Sequence, residues 1–561
     1  MFDNLDLTSI HDEKASELVG RLLNLVEKLS ADLGDAQAEI QRLRDEVNRL
    51  KGEQGKPKIK GNTPKPPVQD HSSEKERHKS RPRHKSSKKA EIHIDREQKL
   101  EIEKGLLPED AEFKGYEDVV VQDIKLGRDN VLFHKEKYYS PTTHRSYLAE
   151  LPRGYSGQYG PGIQALVLTF YYGMQASEPK IVEFLENVGI RISEGEISNW
   201  LIQERESFHA EKDAVYEAGL ASSPYQQTDD TLTRVDGQNQ HCHVVCNPVY
   251  TSYHTRPSKE RLTVLDVLRN GRQRIFRLNA EALGYLKSQL KWPKAVWGTL
   301  KSWVAERDLD EPTFLKRLDV ELPRLGKQHR KLLIDAAAVA AYHAETGFPV
   351  IKALICDDAP QFNWLARLMM QCWVHEGRHY KKLSPVVALH RKRLDGFLKR
   401  FWEYYDQLLA YRQDPTADER QRLETEFDSL FAPNTGYEEL DQRIAKTQAK
   451  KESLLLVLKY PELPLHNNAA ELGVRQRVRK RDVSFGPRTQ AGVRAWDTFA
   501  TLAATSKKLG VSFYLYIHDR ISGANQIPPL ADLVTKAAKD LNLGWSFSLA
   551  WCARKRCQAI T

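Results

Sequence analysis

The feature that most constrains this chain is a pair of strand-like runs, far apart in sequence, that each end in two aspartates. In YQQTDDT, Tyr225 to Thr228 leads into Asp229 and Asp230; in FPVIKALICDDAP, the apolar run from Val350 to Cys356 leads into Asp357 and Asp358. A near-continuous apolar run reads as an interior strand of a parallel sheet, and ligands gather at the ends of such strands. Gly237 in DGQNQ marks a turn after the first run, and HCHVVC and VYTSYHT read as the strands that follow. Acids at the end of a buried strand need a reason to be there.

A third acid stands alone in HNNAAELGVRQRVRKR, residues 466–481, where Glu471 is followed by a dense run of cations. As a helix, this stretch sets Asn467, Asn468, Glu471 and Arg475 on one face. The plain reading is an exposed basic helix whose first turn holds a stabilising anion. Two buried strands ending in aspartate, together with a later helix carrying Glu471, outline instead a ribonuclease-H-like site. Such a site holds two divalent cations about 3.5–4 Å apart for phosphoryl transfer. Hard oxygen ligands suit Mg²⁺ or Mn²⁺. Arg475, Arg477, Arg479, Lys480 and Arg481 would then flank the metals and hold a polyanion without reading its sequence.

The 561 residues exceed what one core accommodates and imply several domains. No apolar run is long enough to span a bilayer and the first residues do not form a signal peptide, so a soluble, cytoplasmic, nucleoid-associated protein is expected. Six cysteines are sparse for this length and fit free thiols in a reducing compartment. Cys242 and Cys246 flank His243, but without a second matching pair the alternation of a strand explains them better than zinc.

The net charge of +9 is concentrated: residues 56–89 hold twelve Lys or Arg against three acids. This basic linker, 51–92, is too poor in apolar residues to fold, and its cations, Lys85, Lys88 and Lys89 among them, suit a phosphate backbone. Before it, Val26, Leu33, Ile40 and Val47 occupy heptad position a, and Leu29, Ala36, Leu43 and Leu50 position d. β-Branched residues at a with leucine at d favour a parallel two-stranded coil, so residues 1–50 predict a homodimer. Residues 93–157, with YEDVVVQDI, NVLFHKEKYYS and RSYLAELP, predict a small β-rich domain. In residues 158–210, Ile181, Phe184, Leu185 and Val188 make an apolar stripe, Gly189 a turn, and Ser193 the cap of a helix carrying Ile197, Trp200 and Leu201. This is the outline of a DNA-reading helix-turn-helix, although any two packed helices share it.

QTDDT, ICDDAPQF, CWVH, NNAAE and the trailing RDVSFG together resemble the DDE transposases of bacterial insertion sequences, closest to the insertion sequence 66 family. The coiled coil, the sheet region and the helix-turn-helix are similar to that family's front end. The resemblance spans about residues 15–520. It implies that Asp229, Asp357 and Glu471 are the catalytic metal ligands, with the first aspartate of each pair preferred. Asp230, Cys372, His375, Asn467 and Asn468 are possible accessory groups, His375 near the scissile phosphate or as a structural donor. Asp230 stands where the family often has Glu, Asp358 where it often has Gly, and His466 where it usually has Asp.

The expected layout is multidomain: an α/β ribonuclease-H-like catalytic domain at 221–383 and 464–520, with helical insertions at 259–346 and 384–463, and a tail at 521–561. The expected activity is two-metal DNA cleavage at the element ends and joining of the 3′-hydroxyls to target DNA, with companion element-encoded proteins as further partners and no membrane association. A metal-dependent nuclease of the same fold and a domesticated, catalytically silent DNA-binding protein are the alternatives.

Overall fold

The computed structural model describes residues 12–51, 93–102, 111, 116–124, 126–155, 158–203, 205–304 and 307–543. Lys85, Lys88 and Lys89 lie outside the described residues.

Helix α1, Glu13–Leu50, forms where the heptads predict it, and its N-cap Asp12 accepts from the amides of Lys14 and Ala15. Among the described residues between 116 and 150 the regular structure is one antiparallel hairpin, β1 (Lys137–Ser140) with β2 (Arg145–Leu148). Tyr116–Ile124, expected to be a strand, is not in a strand among the described residues, and its Val119 and Val121 are exposed. Strand-forming residues need a cross-strand neighbour to form a sheet, and none is present here among the described residues.

Helices α2 (Pro161–Leu168), α3 (Glu178–Asn187) and α4 (Glu194–Ile202) follow. The α3–α4 turn is built as the sequence indicates: Gly189 takes a φ of +81°, and Ser193 Oγ accepts from the amide of Glu196. The buried faces of these helices share one core with Tyr253, Trp496 and Phe499, so they are packed onto the sheet region instead of standing apart.

After α5 (Glu206–Ala221) comes a five-stranded mixed sheet. Its members are β3 (Tyr225–Val235), β4 (Gln238–Asn247), β5 (Tyr250–Arg256), β6 (Ala353–Cys356) and β7 (Leu368–Gln371), in spatial order β5-β4-β3-β6-β7. The first three are antiparallel, and β6 and β7 run parallel to β3. β3 does not end at the aspartates, as the sequence implied, but runs on to Val235. Its two-residue turn, Asp236 and Gly237 with φ of +49° and +74°, matches the twist of a hairpin and extends the pairing.

Between β5 and β6 lies the first helical insertion, ending in α6 (Lys327–His343), whose alanine-rich face is buried. Past β7 come α7 (Trp373–Lys381) and α8 (Ala388–Gln413), which opens the second insertion and packs around Trp373, Phe401 and Phe427. Helices α9 (Asn468–Ser484) and α10 (Gln490–Lys508) return to the sheet. The C-terminal segment carries a further helix, Leu530–Asp540, with Leu530 and Val534 fully buried. No helix among the described residues is long and apolar enough to cross a membrane.

Candidate active site

Register brings the first two acids together. In the parallel β3–β6 ladder Gln227 pairs with Ile355, and two further residues along each chain stand Asp229 and Asp357. Strand alternation turns Asp230 to the other face, where it meets Gln361 Nε2 at 3.2 Å and His241 Nδ1 at 3.6 Å. The resemblance's preference for the first aspartate thus coincides with which carboxylate faces the cleft.

Glu471 arrives from α9. This helix lies close on β4 because residue 473 is glycine: a Cβ there would sit 2.8 Å from Val244 Cγ1, and the Gly473 carbonyl accepts from Tyr253 Oη at 3.1 Å. Asp229, Asp357 and Glu471 consequently line one cleft of about 240 Å³ with Cys372, His375, Arg378, Asn467 and Arg475. Burial pushes the Asp229 carboxyl up to about 7, against the lowering effect of the Asp230 amide, and the charges of Asp357 and Glu471 add to the rise. Burial also raises Asp357, whose carboxylate accepts the amide of Ala359 at 3.1 Å.

Arg378 was not singled out from the sequence. It grips Glu471 with both nitrogens, at 3.1 and 2.9 Å. The signal was present, because His375 and Arg378 lie three apart on a helix and share the cleft face. Cys372 caps that helix: its sulfur accepts the amides of His375 at 3.4 Å and of Asn467 at 3.3 Å, and burial pushes the thiol up to about 11. A sulfur so protonated and so engaged is a structural acceptor.

Asn467 is buried, and its Nδ2 donates to the Thr228 carbonyl at 2.7 Å, tying the start of α9 to β3. Its Oδ1 has no hydrogen-bond partner among the described residues. Three carboxylates and an unpartnered amide oxygen are hard-oxygen donors of the kind that divalent cations such as Mg²⁺ take, though the three carboxylates are not drawn within 4.8 Å of one another as Asp358, His375 and His379 are. Asn468 does not line the cleft. His466 Nδ1 accepts the Asn468 amide at 3.4 Å, so an imidazole nitrogen serves the helix start at a position where the resemblance would put a carboxylate.

The basic run divides by helix face. Arg475 lines the cleft, Arg479 is exposed, and half-buried Arg481 donates to the Leu232 carbonyl. Arg477 and Lys480, expected to face DNA, are instead 2% and 3% exposed. The Arg477 guanidinium lies 3.8 Å from the centre of the Trp496 ring, and Lys480 Nζ lies 3.3 Å from that of Tyr171 and donates to the Ala176 carbonyl at 3.0 Å. Arg477 fastens α9 by cation–π contact, which the loss of water strengthens, whereas burial lowers the Lys480 amine to about 7, so its hydrogen bond to Ala176 and its packing on Tyr171 hold it in either protonation state. Cys242 and Cys246 are buried free thiols of β4.

Comparison with known proteins places the chain in a family. The family model described as Transposase IS66 family matches residues 156–277 and 339–495, which contain all three cleft acids and omit most of the first helical insertion. The uncharacterized protein y4jO of Sinorhizobium fredii is 33% identical over 325 residues, covering 57% of this chain and 99% of that protein. With the sheet, helix α9 and their acids all inside the matched segments, the chain belongs to the IS66 transposase family.

Proposed function

We propose that the chain is a DDE-type DNA transposase in which Asp229, Asp357 and Glu471 form the catalytic site. The observation that carries this reading is their convergence on one cleft from two strands and a helix widely separated in sequence. The sheet, three antiparallel strands followed by two parallel ones, supports a ribonuclease-H-like catalytic domain.

Two divalent cations, Mg²⁺ or Mn²⁺, held by these three residues would activate the attacking oxygen and neutralise the leaving one. The chain's own groups do the rest. Asn467 fixes the start of α9 against β3 and so the depth of Glu471. Arg378 compensates Glu471. Arg475 and Arg479, on the same face as Glu471, hold the phosphate backbone beside the acids. Water attacks the phosphodiester at the element's end, and the freed 3′-hydroxyl then attacks target DNA. The α3–α4 pair and the basic linker engage the terminal inverted repeats, and α1 pairs protomers into a homodimer.

The test uses full-length protein, DNA carrying the terminal repeats of its element, target DNA and Mg²⁺. Wild type is expected to nick the ends and join them to target. Asp357→Ala is expected to abolish both steps while end binding by gel shift is kept. Retained Mg²⁺-dependent cleavage in that variant would sink the site assignment, and cleavage by wild type without joining would favour a nuclease.

A further inference from the structure

Beside the acid cleft, on the other side of His375, lies a second group of metal-type ligands. Asp358 directly follows the catalytic-site Asp357, while His375 and His379 stand one turn apart on α7 and present adjacent rings with centroids 4.9 Å apart. His375 Nε2 lies 3.6 Å from Asp358 Oδ1, and His379 Nε2 lies 3.6 Å from Asp358 Oδ2. One ligand atom from each of the three residues falls within 4.8 Å of the others.

These separations are too long for hydrogen bonds. Taken one pair at a time, each equals the separation of about 3.3–3.6 Å between donors held about 2.0–2.2 Å from a tetrahedral ion, His375 facing one oxygen of Asp358 and His379 the other. His379 Nε2 is buried and has no hydrogen-bond partner among the described residues, which is costly for a ring nitrogen unless something binds it. All three side chains are half-buried, at 27%, 21% and 30% exposure for His375, His379 and Asp358, so an ion can reach them.

Lys450 supplies the positive charge at this position. Its ammonium sits 2.7 Å from Asp358 Oδ2 and 3.1 Å from Glu376 Oε2. Glu376 is itself held by Arg443 and Thr447, so Lys450 has a fixed second anchor to fall back on when it leaves Asp358.

We propose that Asp358, His375 and His379 form a metal centre separate from the three-carboxylate cleft, for a late first-row dication such as Zn²⁺, with water in the fourth position and Lys450 occupying the charge site when the metal is absent. Two imidazoles and one carboxylate favour such an ion over Mg²⁺, which takes oxygen ligands. Bound there, it ties the residue after Asp357 to the helix from which Arg378 reaches Glu471. The inference rests on these side chains alone and not on the transposition chemistry.

The test is Co²⁺ titration of the full-length protein in excess Mg²⁺, read by visible absorption. Wild type is expected to show the intense spectrum of a tetrahedral site, lost on adding Zn²⁺. Removing a group that merely supports a metal ligand costs about 10–100-fold in affinity, so His379→Ala should weaken the signal at least about a hundredfold. Lys450→Met should tighten it about tenfold or more, since even in water the repulsion between an ammonium and a dication about 4 Å apart is worth that much. This gain cannot come from misfolding. Asp229→Asn should leave the signal unchanged. A wild-type spectrum of octahedral type only, or one insensitive to both His379→Ala and Lys450→Met, would overturn the proposal. Loss of the signal in Asp229→Asn would assign the ion to the carboxylate cleft and overturn it equally.

Discussion

Asp229 makes the fold's electrostatic consequence measurable. Burial raises its carboxyl from 3.8 to about 7 in the metal-free protein. Between those values the folded state holds more protons than the unfolded one, so stability is highest at the acid end and falls as pH rises through about 7. The melting midpoint of metal-free wild type should therefore drop between about pH 5 and pH 8 by more than that of Asp229→Asn, and parallel curves would refute the shift. Gly473 offers a second test. In an unencumbered helix Gly→Ala gains roughly 1 kcal/mol, but here the Cβ would press on Val244 Cγ1 at 2.8 Å. Gly473→Ala should thus destabilise the fold by about 1–3 kcal/mol and lower the melting midpoint, Gly473→Val more so, and an alanine variant that stabilises would show α9 free to shift. The same residue explains what the charge run concealed. Gly473, Arg477 and Lys480 follow one another at helical spacing and form the face toward the core, whereas Glu471 and Arg475 line the cleft and Arg479 is exposed. A run of cations in sequence does not say which face is buried; the close approach of Gly473 to Val244 does, and the aromatic rings of Trp496 and Tyr171 that receive the buried pair come from distant segments.

Helix α1 shows how far an element can be read and where reading stops. Its heptads gave the helix, but Glu27, which looks like an ordinary surface charge, is 5% exposed and docks onto the second insertion. Its carboxylate accepts the amides of Val386 and Val387 at 2.9 Å each and meets His390 Nδ1 at 3.1 Å. Asn24 beside it donates to the Gly436 carbonyl at 3.3 Å and accepts the Glu438 amide at 3.1 Å. Glu27→Ala leaves buried donors unpaired, at a cost of about 1–3 kcal/mol. Hydrogen exchange in the first half of α1 should accelerate in that variant, and unchanged protection would mean that the docking contributes nothing. The partners lie hundreds of residues downstream, so no local pattern could have disclosed them. The strands divide similarly. β6 was legible from its apolar run and β4 and β5 from alternation, whereas the extent of β3 depended on a turn conformation and the fate of Tyr116–Ile124 on cross-strand pairing that its own sequence does not fix.

At the scale of the whole molecule, the docking of α1 bears on assembly. The docked face carries Leu23 and Glu27, while the a and d positions Leu29, Leu33, Ile40, Leu43, Val47 and Leu50 are 47–79% exposed. The two faces are distinct, so one protomer can hold its own α1 and still offer the apolar seam. At 38 residues the helix is about 57 Å long, and a stripe of leucine and β-branched residues along most of it is far more apolar surface than an isolated helix leaves in water. A second copy of the same helix would satisfy it, as the proposed homodimer requires, because matching heptads bury the seam in both strands at once. The proposed reaction needs two element ends in one complex, and a protomer contributes one acid cleft. Deleting residues 1–50 should therefore yield a monomer by light scattering that still binds one end but no longer joins two ends to one target. Replacing Leu33 and Ile40 by aspartate should do the same without touching Glu27, which separates loss of the seam from loss of docking. A dimer mass unchanged by both alterations would move the protomer contact elsewhere in the molecule.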